Sequence, residues 1–140
     1  MLHYNIDINV NNYTNIQGEA ESLITIKKLL TKDCVIPDFV GYITFDNLSK
    51  HSICFSSQND LGIFIGISDN TGIHLSISDE NKLNEVIDVW GDGMYISKGL
   101  FVPDFLAWEG IEEYITLGRL CDKINWITPN DLPEDGNYIL

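Results

Sequence analysis

Leu61-Gly62-Ile63-Phe64-Ile65-Gly66-Ile67-Ser68-Asp69-Asn70-Thr71-Gly72-Ile73-His74-Leu75-Ser76-Ile77 decides the fold class. Leu61, Ile63, Ile65 and Ile67 fall on one side of a strand, and Gly62, Phe64 and Gly66 on the other, because successive strand side chains point to opposite faces. Asp69-Asn70-Thr71-Gly72 is tight-turn chemistry, with Asn and Gly tolerating the backbone that hairpin turns demand. Ile73, Leu75 and Ile77 then alternate with His74 and Ser76. Strands joined by so short a turn pair antiparallel. Glycines on both sides of Phe64 mark a close approach or a bulge.

The same alternation extends upstream. Phe39, Gly41, Ile43 and Phe45 share a face, with Tyr42 and Thr44 opposite; Asp46 to Lys50 turns the chain, and Ile53 and Phe55 alternate with Ser52, Cys54 and Ser56. His3 to Val10 is a half-buried strand with Tyr4, Ile6, Ile8 and Val10 on one side, and Asn11 to Asn15 is polar turn chemistry. A helix is predicted from about Gly18 to Thr31, acidic at its start and basic near its end, ended by Val35-Ile36-Pro37.

Downstream, Asp79 to Lys82 is an acidic loop, and strands over about 84–90 and 94–100 flank Gly91-Asp92-Gly93. A closing helix runs from about Pro103 to Leu117, with Gly118 as its stop and Phe105, Trp108, Ile111 and Ile115 facing the sheet. A short strand carries Trp126. The expectation is an α+β single domain over 1–140, with a mainly antiparallel sheet of about six to eight strands and two principal helices covering one face.

Twenty-one acids stand against eight bases, a net charge of −13. Such a surface repels phosphate backbones and anionic lipid and attracts basic partners. Direct nucleic-acid and membrane binding are therefore not expected. No apolar run reaches the roughly 20 residues that span a bilayer, and the N-terminus lacks a signal-peptide profile, so a cytoplasmic location is expected. Cys34, Cys54 and Cys121 are dispersed and odd in number, which reads as reduced thiols.

No catalytic motif of phosphate-loop, dinucleotide, zinc-protease or serine-hydrolase type is present. His3, His51 and His74 sit in separate strands or turns and read as structural or surface residues, His74 on an exposed strand face. Asp79, Glu80 and Asp92 have no metal-loop spacing, and Glu109 and Glu113 share a solvated helix face. Cys121 lies among basic neighbours that favour a thiolate, but no base accompanies it. No catalytic residue, cofactor or metal is expected. Trp108 and Trp126 read as core, and Trp90 as an exposed aromatic anchor among acids.

Val102-Pro103 opening a helix, Ile111-Glu112-Glu113-Tyr114-Ile115 with Leu117-Gly118 closing it, and then Lys123-Ile124-Asn125-Trp126 resemble the end of the Imm1-type immunity proteins of bacterial polymorphic toxin and contact-dependent inhibition systems. The likeness runs from about Phe39 to Ile127. It implies an antitoxin that is not an enzyme and that binds a cognate toxin C-terminal domain. The charge suggests a basic, nuclease-like toxin, blocked sterically and electrostatically. The residues expected to meet it are Asp88, Trp90 and Asp92 around the hairpin and Glu109, Glu112 and Glu113 on the closing helix, with the protein a monomer or weak dimer. A module of another immunity family, a small acidic enzyme with a carboxylate metal site, and a phage-type DNA mimic that inhibits a nuclease are the alternative readings.

Overall fold

Gly62–Asp69 and Gly72–Ile77 form the expected hairpin, with Gly66 opposite Leu75 and Asp69 opposite Gly72. The structure is a computed structural model that describes residues 4–10, 14–19, 39–46, 50–58, 61–88 and 95–132. In chain order the strands are β1 (Tyr4–Val10), β2 (Thr14–Glu19), β3 (Phe39–Phe45), β4 (Ser52–Gln58), β5 (Gly62–Asp69), β6 (Gly72–Ile77), β7 (Val86–Asp88), β8 (Tyr95–Ser97), β9 (Phe101–Val102) and β10 (Asn125–Ile127). Helix α1 spans Asp104–Leu117. The main sheet has the order β10-β6-β5-β4-β3-β1-β2, with β9 pairing β5 off that path, while β7 and β8 form their own two-stranded sheet. Every pairing among the described strands is antiparallel.

The result is a mainly antiparallel α+β fold, and the differences from expectation have local causes. Thr14 and Asn15 open strand β2 instead of completing a turn, and Gly18 and Glu19 end that strand instead of starting a helix. Pairing with β1 overrides the weak helical stripe there. The remainder of the helix expected to reach Thr31 lies outside the described residues, so α1 is the one α-helix among them. Of the strands expected over 84–90 and 94–100, the described residues show Val86–Asp88 and Tyr95–Ser97, and the second gives way to a 3₁₀ turn at Lys98–Leu100; residues 89–94 lie outside the described residues.

Alternation sorts the side chains onto two faces. Ile6, Ile8, Phe39, Ile43, Phe55, Ile63, Ile65 and Ile67 pack under α1 with Trp108, Ile111 and Tyr114. Val40, Cys54, Phe64 and Leu75 point the other way and pack with Ile96, Leu100 and Phe101. Strands β4 and β5 are thus buried on both sides, as central strands of a covered sheet are. Helix α1 covers one face only. Among the described residues, the opposite face is covered by 78–88 and 95–102, which include the paired strands β7 and β8.

β9 explains the glycine beside Phe64. Gly62 has φ +102, and a Cβ there would lie 2.1 Å from the Val102 carbonyl oxygen. The close approach wins over the bulge reading. The sheet forks at this point, where β5 leaves β6 for β9. Ser76 Oγ bridges the gap: it accepts from Ile65 N at 3.0 Å and donates to the Leu100 carbonyl at 2.8 Å. Two buried main-chain groups are satisfied by one hydroxyl, as burial requires.

Candidate functional site

Helix α1 is set by its ends and by one apolar side. The Pro103 carbonyl accepts from Leu106 N and Ala107 N, each at 3.0 Å. Gly118 (φ 69) closes the last turn, its N–H donating to the Tyr114 carbonyl at 2.8 Å. Ala107, Trp108, Gly110, Ile111, Tyr114 and Ile115 are buried. Gly110 lets the helix sit low: a Cβ there would lie 2.6 Å from Ile124 Cδ1.

The outward stripe follows from the same period. Phe105, Glu109, Glu112 and Thr116 stand at i, i+4, i+7 and i+11, with Glu113 and Leu117 on one flank. Phe105 is 70% exposed and Leu117 57% exposed. Phe105 therefore does not face the sheet, contrary to the sequence expectation. Its three-residue spacing to Trp108 suggested the apolar side, yet its four- and seven-residue spacings to Glu109 and Glu112 place it among the acids. Those two spacings were the available signal.

The acids of this stripe are partly ordered by the loop that follows. Lys123 Nζ lies 2.5 Å from Glu109 Oε1, and Arg119 Nε lies 3.5 Å from Glu113 Oε2. The Glu109 hydrogen bond, and then its charge, hold the Lys123 ammonium above its ordinary value. The last turn of α1 carries no base of its own. Arg119 and Lys123, just beyond it, offset carboxylates placed toward the negative end of the helix dipole.

Asp88 is elsewhere. It lies on β7, paired with Tyr95 of β8, in the segment that covers the sheet face opposite α1. Trp90 and Asp92 lie outside the described residues. Asp88 and the three helix acids thus belong to segments that cover opposite faces of the main sheet. Val86 and Tyr95, both exposed, accompany Asp88 on β7 and β8.

The histidines are more engaged than expected. His74 is half-buried, and its Nε2 lies 2.8 Å from Thr71 Oγ1 and 3.2 Å from Asp69 Oδ1. Thr71 Oγ1 donates to the same carboxylate oxygen at 2.6 Å, and Thr71 N donates at 2.8 Å. A carboxylate only accepts and the single hydroxyl proton is committed to it, so His74 Nε2 carries the hydrogen. Nucleophile activation needs a basic ring nitrogen facing the hydroxyl and the carboxylate on the other nitrogen. Here both oxygens crowd one protonated nitrogen. The trio is a clasp across the β5–β6 turn. Partial burial would raise the Asp69 pKa, but the hydrogen bonds from Thr71 and His74 and the His74 charge bring it below its ordinary value.

His51 Nδ1 shares a 2.7 Å hydrogen bond with the Tyr114 hydroxyl, tying α1 to the chain entering β4. Burial, and secondarily the charge of Asp69, push the Tyr114 hydroxyl up to about 12. Both described thiols are buried. Burial pushes Cys54 up to about 12, the opposite of an activated nucleophile. Cys121 sits inside the core under α1, not on an open basic loop, and its carbonyl accepts from Trp126 Nε1 at 3.0 Å. Among the described residues, no group of three or more His, Cys, Asp and Glu side chains is placed to hold a metal ion, and no helix is long and apolar enough to cross a membrane.

Comparison of the chain with protein-family models, with curated proteins and with solved structures gives no match.

Proposed function

We propose that this protein is a toxin-neutralising immunity protein of the Imm1 type, which captures a basic, nuclease-like toxin domain and blocks it by shape and charge. The observation that carries this reading is the excess of 21 acids over eight bases. The described polar clusters support it: His74 and Asp69 brace a hairpin, and Tyr114 and His51 brace the helix. A surface of one sign raises the capture rate of an opposite partner and makes it sensitive to salt.

The test is coexpression with the C-terminal toxin domain encoded beside this gene. Growth should be restored. Association of the purified pair should slow steeply as ionic strength rises. A cell that still dies, with no complex detectable at low salt, would remove the proposal. Turnover of a substrate by the purified chain would favour the enzyme alternative instead.

A further inference from the structure

The geometry points to the outer stripe of α1, anchored by Phe105 and continued by Glu109 and Glu112, as the docking surface for a basic protein partner that offers an apolar socket rimmed by lysine or arginine. This rests on the reading of the protein as a binder of a cationic target, and adds where and how that target is held.

Three observations converge on this face. Phe105 is 70% exposed, more than Val86, Tyr95 or Leu117. An aromatic ring on a helix loses little freedom on binding, and such rings dominate interface energetics. It stands in line with carboxylates at i+4 and i+7, so a socket that takes the ring meets fixed negative charge at a set distance along the helix. Finally, Glu109 is held by Lys123 and Glu113 by Arg119. These ion pairs order the carboxylate side chains before any partner arrives, which lowers the cost of association. A carboxylate accepts at both oxygens, so engagement of one by Lys123 leaves Glu109 chemically able to take a second cation.

Charge complementarity selects the occupant. Residues 104–123 contain five acids and two bases, so an acidic or neutral partner would bring like charge or no compensation to the stripe. Strands β7 and β8 are the competing surface, but among their described residues the exposed apolar groups, Val86 and Tyr95, are each well under Phe105 in exposure.

The experiment uses the full chain, isotope-labelled, with two probes: a short amphipathic peptide of lysine and leucine, and an oligolysine of equal charge. The lysine–leucine peptide should shift the amide resonances of α1 and of Arg119–Lys123 and bind more tightly than the oligolysine. Phe105→Ala should weaken the lysine–leucine peptide about tenfold and leave the oligolysine within about twofold. Phe105→Tyr should bind like the parent. Phe105 contributes little to the core, so a melting curve matching the parent will show that the variants stay folded.

Peptide shifts confined to β7 and β8, or equal binding by the parent and Phe105→Ala, would overturn the assignment of the surface while leaving the cationic-partner reading standing. Failure of both probes to bind at low salt would remove both.

Discussion

The two faces of the sheet are closed by different means. Under α1 the closure is regular: one helix lays Trp108, Ile111 and Tyr114 across β3, β4 and β5, and Trp108 packs against Phe39 and Phe55. On the other face the described closing segments, 78–88 and 95–102, consist of 3₁₀ turns and short strands. These segments satisfy part of their main-chain groups by the short β7–β8 ladder and by turns, with Ser78 N donating to the Gly99 carbonyl at 2.8 Å and Lys98 N to the Glu85 carbonyl at 2.7 Å, and side-chain hydroxyls take up others. Ser76 donates to Leu100, Ser78 to Phe101, and Ser97 to Leu83. A helix closes a face with apolar area; an irregular chain needs hydroxyls as well.

The largest test removes the centre of the regular face. Trp108→Ala should cost about 3–5 kcal/mol in denaturant-measured stability. The Trp108 Nε1 has no hydrogen-bond partner among the described residues, so packing alone is lost. Trp108→Phe, which also removes an unpaired buried donor, should cost far less. Equal losses for the two would mean that the indole nitrogen matters and that the face is not closed by apolar packing.

Gly62→Ala tests the close approach at the fork. Its φ of +102 and the Val102 carbonyl 2.1 Å from the new methyl position leave no unstrained solution. A loss of at least about 2 kcal/mol is expected. An unchanged denaturation midpoint would show that β9 does not hold to β5. Ser76→Ala sharpens the contrast further, since it leaves Ile65 N–H and the Leu100 carbonyl without the hydroxyl that bridges them. The expected loss is about 1–3 kcal/mol. Ser68→Ala, which removes an exposed 3.3 Å bond to the Lys50 carbonyl, should stay within about 0.5 kcal/mol. Equal effects at Ser76 and Ser68 would refute the bridging role.

This contrast also explains what could be read from the chain. The hairpin around Asn70, the apolar rows of β3 to β5 and the boundaries of α1 follow from period and punctuation, both local properties. The fork does not. Nothing local distinguishes Ser76, which is buried and bridging, from Ser68, which is partly exposed, because that difference is made by β9 arriving from residues 101–102. Strand β2 is hidden for the same reason: pairing with β1 makes Thr14–Glu19 a strand, and no alternation in those six residues announces it. For the candidate site, the helical period puts Glu109, Glu112 and Glu113 away from the buried side of α1, whereas Phe105, expected to face the sheet, is exposed. That Asp88 belongs to the segment over the other face is not legible, because sequence does not say which sheet face a later segment covers.

The smallest effect expected is at the β5–β6 turn, where a polar clasp holds a hairpin whose strands are already paired. The folded-state pKa of Asp69 is lowered by the bonds from Thr71 and His74 and by the His74 charge, which outweigh the partial burial that acts to raise it. A carboxylate with a depressed folded pKa contributes stability above its ordinary value of 3.8, and that contribution is lost as pH falls through the folded value. Stability of the parent should therefore decline between about pH 5 and pH 2 more steeply than that of Asp69→Asn, which has no charge to lose there. At neutral pH Asp69→Asn should be the less stable of the two, and the gap should close toward acid. A gap that widens as pH falls would mean that the carboxylate opposes the hairpin, and the turn would then owe its form to Gly72 and to strand pairing alone.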